Sequence, residues 1–113
     1  MNNFIIKENF VYVRSRCRYE VVNKQDVFYF EASGKSVLMH CRERDYPISI
    51  SISELEKILS GTYNWRIHRS FIVNFKQVTA ADRFFVHLIN GEDVPIGRKF
   101  LNSVKQKFLE SEF

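Results

Sequence analysis

Eleven Phe, five Tyr and one Trp are distributed over 113 residues, nearly all in short runs that alternate or cluster as strands do. Aromatic and β-branched side chains favour a pleated, half-buried surface, so the chain is expected to be β-rich. The densest run, Asp26-Val27-Phe28-Tyr29-Phe30-Glu31-Ala32, predicts a mostly buried strand. Ser33-Gly34 turns it around, and Lys35 to Cys41 returns as its hairpin partner.

Similar signals recur on both sides. Phe4 to Lys7 and Phe10 to Arg18 flank Glu8-Asn9 as an early hairpin. In the second of these strands Tyr12, Arg14, Arg16 and Arg18 share one face. Such an arginine row is either a solvated strand face or a basic stripe beside a phosphate backbone. Tyr19 to Val22 adds a short strand, and Tyr46 to Ile50 is extended. Trp65 to Asn74 is predicted as a single strand. Phe84 to Leu88 and Val94 to Ile96 flank Asn90-Gly91, a hairpin turn whose central residues both need positive φ. Two helices are expected. Ser51-Ile52-Ser53-Glu54 fits a capping box, Ile52, Leu55, Ile58 and Leu59 follow at helical spacing, and Gly61 stops the run. Phe100, Leu101, Val104 and Phe108 give a terminal helix. No linker divides the chain, so residues 1–113 are expected to form a single domain.

The net charge of +4, from 17 Lys and Arg against 13 Asp and Glu, is a mild excess whose position matters more than its sum. Cys17 and Cys41 lack CxxC or CxxH spacing and read as free thiols of a reduced cytoplasm. The N-terminus has no basic region leading a long apolar one, and no stretch approaches membrane-spanning length. A soluble, cytoplasmic domain is therefore expected. No Gly-rich phosphate cradle, nucleophile elbow or HExxH is present, and His40, His68 and His87 share no metal-ligand spacing. Neither an enzyme nor a metal or cofactor site is expected. Glu31 reads as a loop support or an arginine partner, and Asn74 as a loop-locking amide.

Two blocks carry the functional signal: RIHRSFIVN at Arg66 to Asn74, and NGEDVPIGRKF at Asn90 to Phe100. The first sets Arg66, His68 and Arg69 directly against an apolar strand. Binding residues concentrate where a rigid sheet gives way to a loop. The planar fork of Arg matches guanine O6 and N7 together. Arg69 and Arg98 both stand at such junctions. With DVFYFEASGKS and the ISELEKIL helix, in this order and spacing, the chain resembles a LytTR-type DNA-binding domain over about residues 10–108.

That resemblance implies a mainly β fold: elongated antiparallel β-sheets packed side by side, with one short internal helix and a C-terminal helix. It implies sequence-specific binding of double-stranded DNA, with loops entering successive major grooves of a bent duplex to regulate transcription. Arg69, Arg98 and Val37 would contact bases, Val37 through a thymine methyl. Lys35, Ser36, Arg66, His68, Ser70, Lys76 and Lys99 would contact the DNA backbone, with His68 alternatively orienting its loop through a hydrogen bond. Ile67 stands where some members of the family carry a redox-active cysteine, so no thiol switch transfers. Promoter sites would be direct repeats engaging a second copy; the chain would be either a stand-alone regulator or the output domain of a longer protein, with a receiver domain and sensor kinase in the latter case. Two other readings compete: an RNA-binding β module, since aromatics interleave with basic residues, and a protein-interaction module that recruits a partner to a sheet edge.

Overall fold

Turn signals fold the runs that flank them into antiparallel pairs, and the computed structural model describes residues 3–110. Met1, Asn2 and residues 111–113 of the expected single domain lie outside the described residues. β1 (Phe4–Ile6), β2 (Phe10–Ser15) and β3 (Arg18–Asn23) form a three-stranded sheet in that order. β4 (Val27–Ser33), β5 (Ser36–Cys41), β6 (Tyr46–Ile48), β7 (Asn64–His68) and β8 (Phe71–Asn74) make the central sheet, ordered β6-β5-β4-β8-β7. A third sheet, ordered β11-β10-β9, contains β9 (Val78–Ala81), β10 (Phe85–Leu88) and β11 (Asp93–Pro95). α1 (Ile52–Ile58) precedes β7, and α2 (Leu101–Glu110) closes the described chain.

The central sheet is buried on both faces. Phe30 and Ile72, paired across β4 and β8, face one core with Val11, Val13 and Val22 of the first sheet and Leu55 and Leu59 beside them. Tyr29 and Val73, the next pair, face a second core shared with Val86, Leu88 and Val94 of the third sheet and Val104 of α2. Two-sided burial explains why Val27 to Phe30 reads as a continuous apolar run with no polar face. It also explains the elongated body of 43 × 25 × 24 Å: sheets are layered along one direction. The fold is mainly β and antiparallel, as the resemblance implies.

The N-cap half of the capping box forms, while the Glu54 carboxylate meets the Ser51 hydroxyl in place of the Ser51 N–H. The Ser51 hydroxyl accepts the Glu54 N–H and donates to the Glu54 carboxylate, each at 3.2 Å. Gly61, at φ +82°, stands past the helix end.

Four expectations need correction. β2 ends at Ser15, and Arg16 (φ +57°) with Cys17 turns into β3, so Arg14, Arg16 and Arg18 do not form one strand face. The turn after β4 is Gly34-Lys35, one residue later than expected, with Ser33 opposite Ser36. Trp65 to Asn74 is two strands, β7 and β8, joined at Arg69-Ser70. In the last hairpin only Gly91 has positive φ, because Asn90 takes part in a longer turn in which Gly91 N–H donates to Leu88 C=O at 3.0 Å.

Candidate nucleic-acid interface

β4 and β7 run towards the same end of the central sheet, so their hairpin turns, Gly34-Lys35 and Arg69-Ser70, emerge side by side. The Ala32 N–H donates to the Ser70 carbonyl at 2.8 Å and ties the two turns together. A third segment joins them: the Gly97 N–H donates to the Ile67 carbonyl at 2.8 Å and draws Ile96 to Lys99 along the end of β7. Gly97 has an ordinary φ of −71°, so its turn does not require glycine. Close approach does. A Cβ at this position would stand 3.2 Å from Phe100 Cδ2 and 3.4 Å from His68 Cα.

The Arg69-Ser70 turn lacks glycine, proline and asparagine, and is held by neighbouring side chains instead. Arg66 Nε donates to the His68 carbonyl at 2.8 Å, and Nη2 donates to the Arg69 carbonyl. Arg66 Nη1 meets Glu56 of α1 at 2.7 Å, and the side chain is only 12% exposed. His68 Nδ1 accepts the Ser70 N–H at 3.1 Å, while its ring packs on Phe71. Burial pushes the His68 pKa below its ordinary value, and the charges of Arg69 and Arg66 push it the same way. A neutral ring suits the acceptor role of Nδ1. The Ser36 hydroxyl donates to the Ser33 carbonyl at 3.1 Å and closes the other turn.

Against this framework four cations stand on the tied segments. Lys35, Arg69, Arg98 and Lys99 are exposed and make no ion pair among the described residues. Arg42 is paired with Asp26 at 3.0 Å and Arg44 with Glu20 at 2.5 Å. Arg14, Arg16 and Arg18 of the first sheet are exposed without an ion pair as well, so what distinguishes the three turns is that four such cations stand on segments tied to one another.

The structure separates the expected site residues. Arg69, Arg98, Lys35 and Lys99 come together as exposed groups, with Ser36, His68 and Ser70 among them as turn supports. Arg66 is committed to carbonyls and to Glu56, which makes it a staple of the turn in place of a DNA-backbone clamp. Val37 is completely buried opposite Ile48, so it has no surface to offer a thymine methyl. Lys76 follows the far end of β8 and lies over the Tyr63 ring at 4.3 Å, away from the three turns. Glu31 pairs with His40 at 2.9 Å, where an arginine was one expected partner. Asn74 is the amide lock expected of it: Nδ2 donates to the Val27 carbonyl at 2.8 Å and Oδ1 accepts the Lys76 N–H at 3.1 Å. Burial pushes the Cys41 thiol up to about 12, which leaves it unreactive. Two participants escaped sequence reasoning, Glu56 and Gly97. A glycine beside a candidate site arginine, where no turn demands one, was the available signal for Gly97.

A family profile described as the LytTr DNA-binding domain matches residues 17–109. The chain belongs to this family. Among curated relatives of this LytTr domain, the transcriptional regulatory protein LytR of Staphylococcus aureus (strain N315) is 27% identical over 93 residues, covering 78% of this chain and 38% of that protein. The sensory transduction protein LytT of Enterococcus faecalis is 23% identical over 106 residues, covering 89% and 44%. The LytTr domain therefore spans less than half the length of these relatives. A solved LytTr DNA-binding domain of a putative methyl-accepting/DNA response regulator from Bacillus cereus superposes with a TM-score of 0.75 at 26% identity, covering 93% of this chain and all of that one. No helix among the described residues is long and apolar enough to cross a membrane.

Proposed function

We propose that this LytTr domain binds double-stranded DNA in a sequence-specific manner and regulates transcription, reading groove edges with Arg69 and Arg98. What carries the reading is the convergence of Lys35, Arg69, Arg98 and Lys99, exposed and without an ion pair among the described residues, on three turns tied to one another by backbone hydrogen bonds. Lys35 and Lys99 supply phosphate contacts that fix register, and the two guanidinium groups supply base contacts. The Ser36, His68 and Ser70 groups keep the turns in shape and add polar contact at their rims.

The spacing of the turns bears on how a duplex is engaged. Adjacent hairpins in one sheet are centred about two strand spacings apart, roughly 10 Å. One helical repeat of DNA is roughly 34 Å. The two hairpin turns therefore fit within the width of one major groove, about 12 Å, and entry of further loops into successive grooves would need a bent duplex, at an elastic cost of roughly 1–6 kcal/mol offset by the added contacts. Direct repeats on a promoter would seat two copies in the same orientation. A receiver domain and sensor kinase would belong to a longer regulator of the kind its relatives represent.

Selection of bound sequences from a random duplex pool tests the function. Enrichment of a guanine-containing motif, weakened by Arg69→Ala or Arg98→Ala, is the expected result. A pool that stays random, with binding equally strong on every duplex, removes the specific-recognition reading.

A further inference from the structure

The turn between β2 and β3 carries an arginine where the backbone favours glycine. Ser15 pairs with Arg18, so Arg16 and Cys17 are the two central residues of a tight hairpin turn. The common turns of this length need positive φ at the first central position, which glycine and asparagine adopt most readily. Arg16 stands there at φ +57°, the only non-glycine residue with positive φ among the described residues. Arg14, Arg16 and Arg18 are all exposed and make no ion pair among the described residues. Glu20, the one carboxylate on β1 to β3, is bound to Arg44 at 2.5 Å. Arg14 is opposite Tyr19 and Arg18 opposite Ser15, so Arg14 and Arg18 project from opposite faces of the hairpin, with Arg16 at its tip.

Asn3 fixes where this hairpin stands. Ile48 opposite Val37 brings Ser49 level with Ser36, at the end of the central sheet that bears the Gly34-Lys35 turn. The Asn3 side chain lines the free edge of β6 there: Oδ1 accepts the Ser49 N–H at 2.8 Å and Nδ2 donates to the Pro47 carbonyl at 3.1 Å. The Arg14 N–H in turn donates to the Asn3 carbonyl at 2.7 Å. This end of the molecule therefore runs in order from Gly97 through β7, β8, β4, β5 and β6 to Asn3 and the arginine hairpin. Asn3 lies three and a half strand spacings, about 17 Å, from the line midway between the Gly34-Lys35 and Arg69-Ser70 turns. That is half of the roughly 34 Å helical repeat of DNA. A duplex whose major groove faces those two turns presents its neighbouring minor groove, walled by the phosphates of both strands, half a repeat along its axis.

We propose that the β2–β3 hairpin is a further DNA-contact element, in which Arg14, Arg16 and Arg18 engage the phosphates that border the minor groove on the β6 side of the reading turns. This rests on the duplex reading of the three turns and adds to it a contact on one flank only, since the opposite flank carries Arg98 and Lys99. Three guanidinium groups with no carboxylate free to neutralise them match the paired phosphate walls of that groove, where the negative potential of the two strands overlaps. The hairpin neutralises phosphate charge and reads no base edge, so it supplies affinity and orientation while the turns supply sequence. Because the contact is one-sided, it gives the domain a direction on its site: the read motif and the anchored flank follow each other in a fixed order.

Cys17, within the turn itself, provides a direct test. It is exposed, whereas Cys41 is partly buried with its thiol pushed up to about 12, so an iron–EDTA chelate can be attached at Cys17 of the whole chain. On a selected duplex, backbone cleavage should centre about 5 base pairs from the middle of the enriched motif, on one side only. Fluorescence anisotropy then measures the contact. Arg14→Ala, Arg16→Gly and Arg18→Ala combined should lose at least about tenfold in affinity, and the slope of log affinity against log salt should fall by about two to three. The circular dichroism spectrum should be that of the parent, because the three side chains are exposed and glycine suits the backbone at position 16. Arg14→Lys, Arg16→Lys and Arg18→Lys combined should keep the parental slope, since a phosphate accepts an ammonium. Trimming the anchored flank from the duplex should make the Ala/Gly variant and the parent bind alike, while trimming the other flank should leave them apart. Arg69→Ala should weaken binding on every one of these duplexes. Cleavage absent from that flank, or an Ala/Gly variant with parental affinity and slope while Arg69→Ala is weakened, overturns the hairpin contact and leaves the three turns standing. Parental binding by Arg69→Ala and Arg98→Ala as well removes the reading of the turns along with it.

Discussion

Replacing Arg66 by alanine separates a structural staple from a phosphate clamp. The guanidinium donates to the carbonyls of His68 and Arg69 and to Glu56, and is only 12% exposed. A hydrogen bond from a charged donor contributes about 1.5–3 kcal/mol. The half-exposed Glu56 bridge adds at most about 1 kcal/mol. The two carbonyls belong to a surface turn and can be rehydrated, so the lower end of each range applies and the total is about 2–4 kcal/mol. For a domain of this size roughly 4 °C accompanies each kcal/mol, so the midpoint of thermal unfolding followed by circular dichroism should fall by about 8–16 °C. The loosened Arg69-Ser70 turn should weaken duplex binding as well. The slope of log affinity against log salt should stay as in the parent, because Arg66 neutralises no phosphate. Lys35→Ala or Lys99→Ala should show the reverse: unchanged stability and a slope smaller by about one. An Arg66→Ala protein with parental stability and a reduced salt slope would refute the staple and restore the clamp.

Arg69→Ala and Arg98→Ala should each lose about 1–3 kcal/mol on the selected site in a fluorescence-anisotropy titration and relax preference at one position, with stability within about 0.5 kcal/mol of the parent; full affinity and specificity in either would defeat its base-reading role. Gly97→Ala forces a Cβ against Phe100 and His68 and should destabilise by about 1–3 kcal/mol in urea unfolding, while displacing Arg98 and weakening binding; a neutral effect would show that the close approach is dispensable. Asn74→Ala strands the Val27 carbonyl and the Lys76 N–H and should lower stability by about 1–3 kcal/mol without altering the salt slope, so a change confined to binding would contradict the lock. His87 is held between Asp93 at 2.6 Å and Asp82 at 3.0 Å, and its bonds to them raise its pKa above the ordinary 6.5. Its contribution to stability is therefore full below about 6.5 and is lost as pH rises through the raised folded value; an imidazole NMR titration with a midpoint at or below 6.5 would contradict this.

The elements visible in the sequence are those whose signals are local. The capping box at Ser51 and the apolar run at Val27 to Phe30 translate directly into α1 and β4. The split of Trp65 to Asn74 into a hairpin was hidden because no turn residue marks it: the turn depends on a guanidinium three residues back and a ring that accepts the Ser70 N–H. Val78–Ala81 carries little strand character of its own and becomes β9 through pairing with β10. The arginine row broke at Arg16, a positive φ that alternation cannot foretell. At the candidate site, the exposure of Arg69 and Arg98 was legible from their junction positions, whereas the burial of Val37 follows from tertiary packing under β6.

The most direct measurement is an amide chemical-shift map of the ¹⁵N-labelled chain titrated with a selected duplex. The account predicts that the largest changes fall on Gly34 to Ser36, His68 to Ser70 and Gly97 to Lys99, with little movement at Lys24, Lys76 and Gln77 at the far end of the central sheet. Changes centred on that far end, or an even scatter over the surface with the three turns unmoved, would contradict it.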